Sequence, residues 1–133
     1  MKFDKELWEK VTEYHGHKCP GIAMGFKMCE AAILEMDANP SEDEVVCISE
    51  NKTCPVDAVR FIFGCTEDNQ KLEIRPSDDL AFSFFNKTNG EKLKVQLKEL
   101  NKDKKMDKNE FMDYLLNANA FDLVVFSDPV FEF

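Results

Sequence analysis

The chain has 133 residues, 44% of them hydrophobic and 32% charged, with a formal net charge of −9. That length holds one domain around one core, and the composition is that of a globular protein rather than a disordered one. The acidic balance excludes nucleic acid, whose phosphates call for clustered cations, and no run nears the roughly 20 apolar residues of a membrane helix.

Asp4 is placed to cap a first helix, in which Leu7, Trp8, Val11 and Tyr14 recur at helical spacing. The run His15-Gly16-His17-Lys18-Cys19 interrupts it. Pro20 suits the first position of a second helix, whose apolar face reads Ile22, Phe26, Cys29, Ile33 and Met36. The small residues Ala23, Gly25, Ala31 and Ala32 let that helix pack closely. Asp37 to Asp43 is a polar linker. Val45 to Ile48 reads as a buried strand, and Pro55 to Phe63 as a third helix with Val56, Val59 and Ile62 or Phe63 inward.

After Gly64 the pattern alternates. Leu72 with Ile74 suggests one strand, and Leu80, Phe82 and Phe84 another. Leu93, Val95 and Leu97 form the return strand of a hairpin across Asn89-Gly90. Asp107 and Glu110 form a capping-box pattern for a helix to about Asn117. Phe121 to Phe126 and Val130 to Phe133 are apolar enough to be strands, broken at Asp128-Pro129. The expected class is α+β: residues 1–133 as a single compact domain, an antiparallel-rich sheet packed with helices. Lys102, Lys104 and Lys105, interleaved with Asp103 and Asp107, read as a solvated loop. Glu99, Asn101, Asp103, Met106, Asp107 and Glu110 loosely follow a calcium-loop pattern, but Lys104 stands where that loop demands glycine.

Five cysteines, an odd number, in a chain whose Met1 to Glu6 has no apolar signal-peptide core point to a reducing cytoplasm and to metal or thiol chemistry rather than disulfides. Both histidines of the chain fall at His15 and His17, two residues apart, and Cys19 follows at the same spacing. Fully extended, His15 and Cys19 would lie about 13 Å apart, so Gly16 must turn the chain for the three to converge. Cys19 precedes Pro20 and caps the second helix, where the partial positive charge favours the thiolate. Cys54 repeats the Cys-Pro arrangement. Cys65 lies beyond a helix that rises about 16 Å, so Cys54 and Cys65 do not easily share one ion. The economical site is His17, Cys19 and Cys54, with His15 as a fourth ligand. Mixed imidazole and thiolate donors favour zinc. Three protein ligands would leave the site open and catalytic; four would make it structural. Cys29 and Cys47 read as core residues.

These residues resemble the FmdE family of formylmethanofuran dehydrogenase components. Its entry motif, His-Gly-His-x-Cys-Pro-Gly, is matched throughout by His15 to Gly21. Its second block is matched by Cys54-Pro55-Val56-Asp57-Ala58 and Gly64-Cys65-Thr66. Phe82-Ser83-Phe84 and the hairpin after it fit the next strands. The resemblance implies an α+β core domain, an intertwined homodimer, and a link to a molybdenum or tungsten enzyme. Some members append a cysteine-rich zinc finger, and no cysteine follows Cys65 here. The chain departs from the family at Glu67-Asp68-Asn69 and Ser77-Asp78-Asp79, where Gly-Lys pairs are usual, and at Arg60, where glutamine is common.

Three functions follow as expectations. One is a metal-binding accessory protein to molybdenum or tungsten one-carbon metabolism. Another is a free-standing enzyme with Cys19 as the reactive thiol and Asp57 as acid or base. The third is a metal sensor or scaffold.

Overall fold

Residues 2–100 and 106–133 are described in the computed structural model of the chain. The lysines expected to form a solvated loop, Lys102, Lys104 and Lys105, lie outside them, as do Asn101 and Asp103 of the calcium-like pattern.

The element starts follow local hydrogen-bond chemistry. The Asp4 carboxylate accepts from the Leu7 N–H at 3.0 Å and opens α1 (Lys5–His15). Cys19 opens α2 (Pro20–Met36), its sulfur accepting from the Ile22 N–H at 3.5 Å. Asp107 opens α4 (Lys108–Asn117) by accepting from the Glu110 N–H at 2.8 Å. The third helix, α3 (Val56–Phe63), begins one residue later than the sequence suggests. Pro55 is its N-cap, and Cys54 sits in the turn ahead of it.

One five-stranded sheet runs in the order β2-β1-β3-β4-β5. Its strands are β1 (Val45–Ser49), β2 (Leu72–Ile74), β3 (Ala81–Asn86), β4 (Lys92–Leu97) and β5 (Val124–Ser127). Among the described residues all pairings are antiparallel except β1 with β2, which are joined by the α3 crossover and run parallel. The α+β class therefore holds, with this one parallel pair as the exception. The β3–β4 hairpin is wider than a two-residue turn. Asn86 donates its N–H to Glu91 O at 2.8 Å, so four residues intervene, with Gly90 at φ 80.

The chain's end differs from expectation. Phe121 to Phe126 is not one strand: Ala120–Leu123 forms a single helical turn, α5, before β5 begins. Asn119 starts that turn by accepting from the Phe121 N–H at 3.0 Å, and Ala120 and Leu123, three apart, then bury together. Val130 to Phe133 forms no strand. Pro129 cannot donate to a ladder, and beyond it two rings of the tail pack on the body of the protein. Arg75 lies 4.9 Å over the Phe131 ring, and Phe133 meets Phe85 at 5.7 Å between centroids.

The core lies around α2, which packs against α1, α3, α4, α5 and β4. All five residues of its expected apolar face are buried, and so are Ala23, Gly25, Met28, Ala31 and Ala32. Two glycines decide how near α3 can come. A Cβ on Gly21 would stand 2.9 Å from Cys54 Cβ, and one on Gly25 would fall onto the Pro55 carbonyl. Gly21, the last residue of the His15 to Gly21 motif, lies inside the helix and makes room for Cys54. Gly25→Ala is expected to lower stability by about 1–3 kcal/mol, read as chemical denaturation with chelator present. An unchanged midpoint would show that the turn is not tightly seated.

Candidate metal centre

Four side chains from three segments converge. One donor atom each from His15, His17, Cys19 and Cys54 lies within 4.8 Å of the other three. His15 is the last residue of α1. Gly16 then takes φ 100 as the helix C-cap, a conformation costly to any residue with a Cβ, and reverses the chain. That reversal brings the His17 ring against His15, with centroids 4.6 Å apart and planes at 76°. His15 Nε2 and Cys19 Sγ are 3.8 Å apart. Edges of a tetrahedron built on zinc–nitrogen and zinc–sulfur bonds measure about 3.3–3.8 Å. The widest spacing thus has about an ångström to close, and the donors suit a tetrahedral N2S2 site.

The orientation of His15 is fixed from behind. Its Nδ1 lies 2.7 Å from Asp57 Oδ2. An ionised carboxylate only accepts, so Nδ1 carries the hydrogen and Nε2 is the ring nitrogen turned towards Cys19. Asp57 Oδ1 accepts from Arg60 Nη1 at 2.8 Å, and Arg60 is gripped on its other edge by Glu67, at 3.1 Å and 2.8 Å. Burial pushes the Asp57 carboxyl up, but the hydrogen bonds from His15 and Arg60 outweigh it and hold Asp57 below the usual range. Asp57, expected as an acid or base, thus has both oxygens engaged in holding His15. Arg60 and Glu67, expected only as departures from a pattern, complete the support. Asp57 and Arg60 lie three apart on one helix, a signal legible in sequence; Glu67, beyond the Gly64 turn, carries none.

The remaining cysteines lie apart. Cys65 is not among the converging donors: its thiol donates to Val45 O at 3.1 Å, inside the core. Cys29 and Cys47 are buried on α2 and β1. Burial pushes the thiols of Cys29 and Cys47 well up and that of Cys65 to about 12. Cys54 is half-buried; burial and then the neighbouring Cys19 sulfur raise its thiol, so the proton competes with a metal there.

A family model described as "FmdE, Molybdenum formylmethanofuran dehydrogenase operon" matches residues 14–122. The solved structure of a tungsten formylmethanofuran dehydrogenase FmdE-like protein from Syntrophus aciditrophicus superposes with a TM-score of 0.73. It is 26% identical, over 96% of this chain and 72% of that one. A "Probable S-adenosyl-L-methionine-binding protein" of Archaeoglobus fulgidus is 37% identical over 68 residues, 47% of this chain. The chain spans only 19% of that curated relative's length.

A thiol reagent applied to the native, chelator-treated protein is expected to modify Cys54 and to spare Cys29, Cys47 and Cys65 until denaturant is added. Mass mapping of the adducts checks this. Native modification of Cys65 at the rate of Cys54 would contradict the burial argument.

Proposed function

Since the chain belongs to the FmdE family and its four donors converge, we propose that it is a zinc-binding protein, accessory to a molybdenum or tungsten enzyme of one-carbon redox metabolism. The observation that carries the reading is the approach of two imidazoles and two thiols to within 4.8 Å of one another. His15, His17, Cys19 and Cys54 would hold the ion, and Asp57 would orient His15. Bound there, zinc supplies a rigid cross-link between the α1–α2 junction and the turn before α3, or Lewis acidity if a position opens. Four protein donors fill a tetrahedron, which favours holding over turnover. The free-standing enzyme, with Cys19 as thiol and Asp57 as acid or base, is the second reading. The exposure of His17 is what favours it, since that enzyme requires the centre to open.

Purified full-length protein is expected to carry about one zinc per chain by elemental analysis. Asp57→Asn is expected to weaken zinc binding about 10–100-fold in chelator competition, with the fold retained by circular dichroism. Metal-free protein that takes up no added zinc would overturn the reading.

We also propose a homodimer in the cytoplasm. No helix among the described residues is long and apolar enough to cross a membrane, and all five cysteines are free, which suits a reducing compartment. Strand β5 is an edge of the sheet, with Val125 52% exposed, and the exposed Phe121 packs on Phe126 of that strand. Such an edge pairs readily with a second copy about a two-fold axis. Light scattering at micromolar concentration is expected to give twice the 15.3 kDa of the chain; a particle of chain mass would refute the dimer.

A further inference from the structure

The four donors are not equally secured. His15 is held through Nδ1 by Asp57 at 2.7 Å, and its side chain is 9% exposed. Cys19 is buried, and its sulfur accepts from the Ile22 N–H. Cys54 rides on the Cys54–Pro55 turn, pressed into the space that Gly21 and Gly25 leave open. His17 has no such backing. It is exposed, it follows the one residue of the junction at positive φ, and among the described residues its ring makes no hydrogen bond and meets the His15 ring in a T-shaped contact. Beside it opens a cleft of about 360 Å³ lined by Glu9, Thr12, Glu13, Gly16 and Lys18.

We infer that His17 is the exchangeable ligand of the centre, and that the position it vacates accepts a neutral nitrogen donor of the imidazole class entering through this cleft. The inference rests on the metal-binding reading above. In the exchange one metal–nitrogen bond to His17 breaks and one to the incoming nitrogen forms, with no change in charge or oxidation state. The cleft selects the donor. Lys18 Nζ lies 2.9 Å from Glu9 Oε1, so those charges cancel and Glu13 leaves the entrance negative, against anions. His15, Cys19 and Cys54 stay in place, which makes a three-ligand site of the open kind.

The test uses the full chain loaded with cobalt(II), whose visible bands report its ligands. His17→Ala is expected to keep one metal per chain with affinity reduced about tenfold, whereas His15→Ala loses at least about a hundredfold. Imidazole is expected to shift the bands of the His17→Ala protein, and azide to do so only at much higher concentration. Circular dichroism checks that both variants fold. An affinity loss in His17→Ala equal to that in His15→Ala would overturn the inference, as would bands unmoved by imidazole. Azide acting as well as imidazole would overturn the ligand class. A wild-type protein that takes up neither cobalt nor zinc would instead overturn the metal-binding reading itself.

Discussion

The turn at Cys54 and Pro55 rests directly on the first two turns of α2, and the centre depends on how closely it does so. Helices ordinarily keep 8–10 Å between axes because side chains stand between them. At Gly21 and Gly25, four apart on one face, there are none, and the Pro55 backbone occupies the vacancy. That approach delivers the Cys54 sulfur to the same turn that Cys19 caps. The sheet braces the approach, since β1 and β2 hold the two ends of the α3 crossover in one parallel pair.

Behind the donors runs a chain of alternating charge, Glu67 to Arg60 to Asp57, ending on the His15 ring. Each member satisfies the next, so a half-buried carboxylate remains ionised without being free to trade protons. This is the arrangement of a support rather than of a general base, whose proton affinity would lie nearer neutrality. It bears on how the protein works: the stiffness of the centre is concentrated on His15, and its freedom on the opposite side.

Much of this is legible in the residues. Paired histidines before a Cys-Pro helix start, and a second Cys-Pro further on, carry their chemistry in plain spacing. The capping residues Asp4, Cys19 and Asp107 act where local hydrogen bonding puts them. What escapes is non-local. Glycine spacing at Gly21 and Gly25 says that something comes close but not what, and Glu67 meets Arg60 only because the loop after Gly64 folds back over α3. The parallel β1–β2 pair needs a crossover that a three-residue strand, Leu72–Ile74, advertises poorly. At the chain's end, apolar content alone does not separate a helical turn from a strand; the Asn119 cap decides it.

The parallel crossover also divides the centre by the length of chain each contact must close. His15, His17 and Cys19 are neighbours along the chain, and the packing of α1 on α2 brings them together across a short loop. Cys54 comes from beyond β1, and its place depends on contacts of much greater sequence separation. The centre therefore joins a local half to a remote one. A fluctuation that lifts α3 from α2 would carry Cys54 away with it, so the integrity of the centre, as distinct from exchange at His17, depends on the opening free energy of that one short helix.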